Sequence, residues 1–321
     1  MKLYREDKSM KQNEIFLFDN EEGMITGLTD EAKTLSRIEI PSSIDGVNVT
    51  SIGEGAFMEN LNIKEVIIPE GVTTIESYAF DHAINLKSIT LPSSVTEIGN
   101  YVFANCSSLS NINILSELSN IGTCTFFNCE SLEEITIPEG VVMIEDQAFY
   151  GCKSLKLVHI PSTVVSILDS AFEECESLKY IKISKRVTDI HTRVFAGCKK
   201  LKSIHLPSSI VNIDSDVFCG CEKLKDVYYN GTEDQWCDID INPYNYELFI
   251  ANIHCIDKTF MIATRSLMLN ITTAISMITE KCKSVISDNK CKIIKDLALV
   301  STMIAWICMI VSIFKGNGKR K

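Results

Sequence analysis

A 23-residue repeat is the feature of this sequence that most restricts its fold. Phenylalanine recurs eight times at a constant spacing of 23 residues, which accounts for more than half of the 14 phenylalanines in the chain. These positions are Phe57, Phe80, Phe103, Phe126, Phe149, Phe172, Phe195 and Phe218. Cysteine keeps the same period three residues later, at Cys106, Cys129, Cys152, Cys175, Cys198 and Cys221. Self-similarity at such a period indicates an array of units that stack on one another.

The sequence of a single unit predicts a short strand followed by a compact turn. Ile135 and Ile137 alternate with Glu134 and Thr136, a pattern typical of a strand with one buried face. A proline without an N–H group ends the pairing in five units, at Pro69, Pro92, Pro138, Pro161 and Pro207. The segment 148–152 then fits a single helical turn.

Stacking of these units predicts a repeat solenoid with a parallel β-sheet and short helical turns. About nine units begin at Leu35, Ile63, Leu86, Leu109, Leu132, Leu155, Leu178, Leu201 and Leu224. No unit can bury its apolar face alone, so each must be covered by its neighbours. We therefore expect an N-terminal cap over 1–34 and a solenoid over 35–255. Its last unit, 224–255, departs from the pattern and is expected to act as the second cap.

The unit Leu-x-x-Ile-x-Ile-Pro-x-x-Val-x-x-Ile-x-x-x-Ala-Phe-x-x-Cys resembles the BspA-type leucine-rich repeat over about 35–255. This resemblance implies a leucine-rich repeat solenoid of the kind found in surface proteins of gut and oral bacteria and of some parasitic protists. It further implies a role in adhesion or protein binding. Members of the family carry no catalytic residues that could be transferred to this chain.

Charge is distributed unevenly along the chain, whose net charge is −11. Residues 1–256 hold 20 basic and 38 acidic residues, a balance of −18, whereas 257–321 hold 11 and 4, a balance of +7. An acidic body argues against a nucleic-acid partner, because phosphate contacts need a basic surface. The basic end indicates a segment in different surroundings.

Motifs for catalysis and for metal or cofactor binding are absent from the sequence, which predicts a protein that is not an enzyme and has no cofactor. The cysteine ladder allows two interpretations, a thiol array for metal or redox chemistry or a column of small buried residues. We favour buried residues, because zinc sites need closely spaced pairs. His159 and His205 lie two rungs apart, roughly 10 Å, which is too far for one zinc ion.

The C-terminal sequence predicts a membrane anchor. Residues 256–296 comprise an amphipathic helix, with apolar residues on one face from Phe260 to Thr279, and a Lys-rich linker. The helix is expected to rest on the solenoid end or on a membrane surface. Residues 297–314 lack any charge and are long enough for a single transmembrane helix, followed by a basic tail over 315–321. The alternative is a buried helix of a small C-terminal bundle, and the flanking charges leave the orientation open.

The outward strand positions predict a partner-binding site toward the end of the solenoid. In the early units these positions are mostly small or polar, and later they gain larger side chains with a polar end, which are enriched where partners dock. The candidate residues are Leu157, His159, Tyr180, Lys182, His205 and Tyr228. The chain is therefore interpreted as a non-enzymatic, membrane-anchored repeat protein that binds a protein or glycan partner. The alternative is a structural spacer without a specific ligand.

Overall fold

The computed structural model describes residues 12–114, 118–257 and 259–261, and over these residues the chain is a parallel β-solenoid. Each turn of the chain contributes one strand to a first ladder, called here the long ladder, and a shorter strand to a second, called the short ladder. The predicted repeat solenoid with a parallel sheet is confirmed. Its units have the predicted length, because strands in neighbouring turns pair at an offset of 23 residues, as Glu65 does with Ser88.

The long ladder has ten strands in the described part of the chain. They are Arg37–Glu39, Glu65–Ile67, Ser88–Leu91, Asn111–Ile114, Glu134–Thr136, Leu157–His159, Tyr180–Lys182, Ser203–Leu206, Asp226–Tyr229 and Asn252–His254. The first nine follow the nine unit starts read from the sequence. The tenth, Asn252–His254, pairs in parallel with Asp226–Tyr229 and adds a rung that the repeat pattern does not show.

Alternation of burial explains why these short segments form strands. In Tyr180–Lys182 the central Ile181 is fully buried and its two neighbours are exposed, and Glu134–Thr136 shows the same pattern. A β-branched residue at the central position packs well on the pleated surface. The inward residues therefore hold the core, and the outward residues of all ten strands form one face.

The short ladder lies on another side of the same turns. Its strands in the described residues are Met24–Leu28, Ser51–Ile52, Thr74–Ile75, Glu97–Ile98, Asn120–Ile121, Met143–Ile144, Ser166–Ile167, Asp189–Ile190, Asn212–Ile213 and Asp240–Ile241. Nine of them end on an isoleucine, and seven of these side chains are buried, with Ile98 and Ile241 half-buried. These isoleucines close the core against the long ladder.

The phenylalanine column fills the centre of the solenoid. All eight rings are at most 2% exposed, and successive rings stack with centroids 5.0 to 6.0 Å apart. Their planes are nearly parallel, with interplanar angles from 1° to 18°. The structure thus places the repeated aromatic residue where each unit covers the next.

The segment around each phenylalanine consists of consecutive turns, where the sequence predicted a single helical turn. In one unit the N–H of Ala148 donates to the carbonyl of Glu145 at 3.2 Å, and that of Tyr150 donates to Gln147 at 3.0 Å. The N–H of Phe149 points instead to the next turn of the solenoid, bonding Ala171 at 2.8 Å. Gln147 has a φ of 55°, so the backbone leaves the right-handed region before a helix can form.

The ends of the described region differ from the repeats between them. At the start, a helix Gln12–Ile15 precedes strand Phe16–Asp19, which pairs antiparallel with Met24–Leu28. A 3-10 helix and a hairpin follow, at Ala32–Thr34 and at Ser43–Ile44 with Val47–Asn48. The last unit contains two further helices, Glu233–Cys237 and Tyr246–Phe249.

The C-terminal predictions fall mostly on residues beyond those described. Strand Thr259–Met261 pairs antiparallel with Asn252–His254, so residues 260 and 261 extend the sheet where the sequence predicted the start of an amphipathic helix. The rest of that helix, the linker, the 297–314 span and the basic tail lie outside the described residues. Within the described part, no helix combines the length and apolarity needed to cross a membrane.

Candidate binding face

The six predicted site residues lie on outward positions of four consecutive long-ladder strands. His159, Tyr180, Lys182 and Tyr228 are exposed, and Leu157 and His205 are half-buried. The residues that alternate with them are buried, namely Val158, Ile181, Ile204 and Val227. The strand alternation read from the sequence therefore gives the correct direction for each of the six side chains.

Three of the six join in one continuous contact. Tyr180 meets His205 edge to face, with ring centroids 5.3 Å apart, and His205 stacks on Tyr228 at 4.5 Å. Tyr228 in turn stacks on His254 at 4.7 Å. We call Tyr180, His205, Tyr228 and His254 the aromatic row. It crosses four adjacent strands, and two of its members, Tyr180 and Tyr228, are more than a third exposed.

His254 belongs to the row although the repeat does not point to it. It pairs in register with Tyr228 at an offset of 26 residues, because the last unit contains two added helices. The sequence signal that could have found it is the Asn-Ile-His order of 252–254, in which a buried residue lies between two more exposed ones. Its ring nitrogens contact Asp226 Oδ1 at 2.7 Å and Thr259 Oγ1 at 3.1 Å.

The remaining predicted residues lie beside the row. Lys182 is the register partner of His205, so its side chain flanks the row. Leu157 and His159 belong to a separate pair of strands, in which they face Glu134 and Thr136. Among the described rings, that of His159 makes no stacking contact with the row. The structure thus brings four of the six predicted residues together and leaves two on the preceding rung.

The environment of His205 within the row favours the neutral form of its imidazole. Burial lowers the pKa of His205 below its ordinary value, and the nearby ammonium group of Lys182 lowers this pKa further. At the end of the row, the hydrogen bond from His254 is the main cause that lowers the pKa of Asp226, with a second bond from Asn252. Burial raises the pKa of Tyr180, so its hydroxyl remains protonated at neutral pH.

The cysteine ladder lies in the buried interior of the solenoid turns. All six of its thiols are buried, and each Sγ lies 3.1 to 3.3 Å from the carbonyl oxygen of the phenylalanine 26 residues earlier. Burial raises the pKa of Cys152 far above its usual range, so the thiol is protonated. Across the described residues, no group of three or more His, Cys, Asp and Glu side chains is placed to hold a metal ion.

Comparison with known proteins relates the fold to a family. The sequence profile of the BspA type leucine rich repeat region matches residues 30–156 and 119–237, with six copies of the repeat. The chain belongs to the BspA-type leucine-rich repeat family. For a BspA-type chain, membership indicates a role in protein interaction or scaffolding, and such solenoids are typically non-enzymatic. A comparison with curated proteins finds no match.

Several solved structures are similar to this BspA-type chain. A leucine rich cell surface protein from Faecalibacterium prausnitzii is 23% identical, with coverage of 70% of this chain and 95% of that protein and a TM-score of 0.44. The T. pallidum leucine rich repeat protein is 24% identical, with coverage of 68% and 91% and a TM-score of 0.47. A leucine-rich repeat protein from Bacteroides ovatus is 21% identical, with coverage of 78% and 100% and a TM-score of 0.29.

Proposed function

We propose that this protein is a binding scaffold that holds a protein partner against the long-ladder face between Tyr180 and His254. The observation that carries the proposal is the aromatic row, which four separate units of the solenoid build from adjacent strands. Each ring is supported by the next, so the row loses little side-chain entropy when a partner binds. Rigid aromatic residues with a polar end are enriched at the centres of protein interfaces.

A protein partner fits the geometry of the row better than a glycan partner does. Sugars bind aromatic residues through the open ring face, whereas His205 and Tyr228 already stack their faces on neighbouring rings. Ring edges and polar atoms are what remain to face outward. These groups suit the hydrogen bonds and carboxylates of a polypeptide.

We further propose that the scaffold is held at a membrane by 297–314. The support comes from the sequence, in which 18 residues without a charge are followed by Lys315, Lys319, Arg320 and Lys321. One similar protein is described as a cell surface protein, and a surface location would agree with an anchored scaffold. Full-length protein should remain in the membrane fraction after carbonate washing. Its release into the supernatant would contradict the anchor.

Affinity capture with matched variants tests the binding function. Full-length protein should retain a protein partner, and Tyr180→Ala should weaken that binding by at least about tenfold, as for an interface anchor. Thr90→Ala is the control, because Thr90 is exposed on the same face, four rungs earlier. Equal retention by both variants would place the site elsewhere. Failure of the wild-type protein to retain any partner would favour the alternative, a structural spacer.

A further inference from the structure

A column of lysines precedes the strands that carry the first three members of the aromatic row. Lys179, Lys202 and Lys225 each immediately precede a long-ladder strand, and all three are exposed. The N–H of Lys202 donates to the carbonyl of Lys179 at 2.9 Å, and the N–H of Lys225 donates to Lys202 at 2.9 Å. Three cationic residues are therefore stacked at the spacing of adjacent strands, about 4.8 Å. We call them the lysine column.

The lysine column is only partly compensated by nearby carboxylates, since Lys225 is one of the groups that lower the pKa of Asp226. Within the described residues, none of its three members forms an ion pair with a carboxylate. One rung earlier the same position holds Lys156, which is paired with Glu133 at 2.7 Å. Asp226 is the carboxylate next to Lys225, and its Oδ1 also accepts hydrogen bonds from His254 and Asn252.

The lysine column lies on an acidic body, since residues 1–256 carry a balance of −18, and it holds three consecutive lysines at a position where earlier units also have Lys64, Lys87 and Lys156. Like charges at strand spacing repel one another, and a bound polyanion would relieve that repulsion. The aromatic row adds further groups that attract anions. The edges of its rings carry partial positive charge, and the hydroxyls of Tyr180 and Tyr228 can donate hydrogen bonds.

We infer that the lysine column and the aromatic row together bind an extended, Asp/Glu-rich segment of the protein partner. This inference rests on the proposed function and specifies the chemistry of the partner. The lysine column spans two strand spacings, about 10 Å, and the aromatic row spans three, about 14 Å, which matches an extended segment of four to five residues. Acidic side chains would reach the lysines, and the segment would lie along the ring edges.

Binding of a labelled acidic peptide tests this inference. The probe is fluorescein-labelled deca-glutamate, titrated with full-length protein and followed by fluorescence anisotropy at low salt. Replacing Lys179, Lys202 and Lys225 together by Gln should lower the affinity at least about tenfold, the sum of three modest charge contributions. Added salt should weaken the wild-type binding, because exposed charges are screened.

The matched control removes the same number of charges from the same register position in earlier units. Lys64, Lys87 and Lys156 together replaced by Gln give the same net charge, and this variant should bind within about threefold of wild type. Both triple variants should keep the wild-type melting temperature, which shows that each is folded.

Three results would overturn the inference. They are the absence of deca-glutamate binding to wild-type protein, an equal loss in both triple variants, and strong binding of heparin with none of deca-glutamate. The last result would indicate an acidic polysaccharide as the ligand. These failures are distinguishable from failure of the proposed function. If Tyr180→Ala releases a captured protein and the lysine variant retains it, binding at this face stands and the acidic segment is wrong.

Discussion

At the scale of single residues, each of the six inner phenylalanines of the column stacks on one ring above and one below. Phe149 lies 5.2 Å from both Phe126 and Phe172, measured between ring centroids, and is fully buried. Removing such a ring takes apolar surface away from two neighbouring units at once. The column therefore couples the stability of adjacent turns, which otherwise contact only their neighbours.

We predict that Phe149→Ala lowers the free energy of unfolding by about 3–5 kcal/mol, as for other buried aromatic truncations. Chemical denaturation of the wild-type and variant proteins measures this difference. Thr136→Ala is the control, because Thr136 is exposed on the same unit and should change stability by less than about 0.5 kcal/mol. An unchanged midpoint for Phe149→Ala would contradict the role of the column.

A second residue-scale feature is the left-handed backbone two residues before and two residues after each phenylalanine. These positions include non-glycine residues, among them Ser170 with a φ of 57° and Glu174 with a φ of 58°. Elsewhere the same positions are glycine, as at Gly151 and Gly197, with φ values of 70° and 72°. A side chain in this region is strained, most of all when it is β-branched.

Replacing Ser170 separates backbone strain from other effects. Ser170→Val should lower the free energy of unfolding by about 1–2 kcal/mol, because valine tolerates the left-handed region poorly. Ser170→Gly should be neutral to within about 0.5 kcal/mol, since relief of strain offsets the greater freedom of the unfolded chain. Equal stabilities for the two variants, measured by thermal denaturation, would contradict this account of the turn.

At the scale of elements, the strand Asn252–His254 is attached to the preceding rung by side chains as well as by the ladder. His254 and Asn252 both contact Asp226 Oδ1, at 2.7 and 3.2 Å. These contacts lower the pKa of Asp226, so folding favours its ionised form. A carboxyl with a lowered pKa stabilises the fold above its unfolded-state value of about 3.9 and loses that contribution as the pH falls below it.

The pH dependence of stability tests this link. The free energy of unfolding of wild-type protein should fall more steeply below pH 4 than that of Asp226→Asn, because the variant has no carboxyl to protonate there. His254→Ala removes the main donor and should flatten the profile in part, because the bond from Asn252 remains. Parallel profiles for wild type and Asp226→Asn would show that this carboxyl is not coupled to folding.

Elements also show what the sequence could and could not predict. The nine unit starts, the buried phenylalanines and the buried thiols follow from periodicity and alternation, which report directly on one-sided burial. The tenth rung does not, because the added helices Glu233–Cys237 and Tyr246–Phe249 break the period. The segment around each phenylalanine was predicted as a helical turn because its sequence pattern is the same for a helical turn and for consecutive turns. Non-glycine residues such as Gln147 conceal the left-handed backbone.

The same reasoning shows which features of the candidate site the sequence could predict. Direction was predictable for Tyr180, His205 and Tyr228, because alternation along a strand assigns each side chain to a face. Their contact was not, since stacking depends on the rotamers of side chains in neighbouring units. Leu157 and His159 share the outward direction but lie on a different pair of strands. Whether they contribute to binding stays a prediction.

At the scale of the whole molecule, the repeat gives every unit one backbone and leaves the outward positions to vary. In the described region, large aromatic side chains on this face are concentrated from Tyr180 onward, and the lysine column precedes the first three of these strands. Earlier rungs carry acidic or small residues there, such as Glu65, Thr90 and Glu134. Under the proposal made above, an acidic partner binds at these later rungs.

Site-specific photo-crosslinking tests the central claim, that the partner binds at the aromatic row. A photoreactive phenylalanine analogue is introduced into the full-length protein in place of Tyr228 or, as the control, in place of Thr90. Both positions are exposed on the long-ladder face. Irradiation with the partner present should give a covalent adduct from position 228 and none above background from position 90. Adducts of equal yield at the two positions, or an adduct at position 90 alone, would contradict the account.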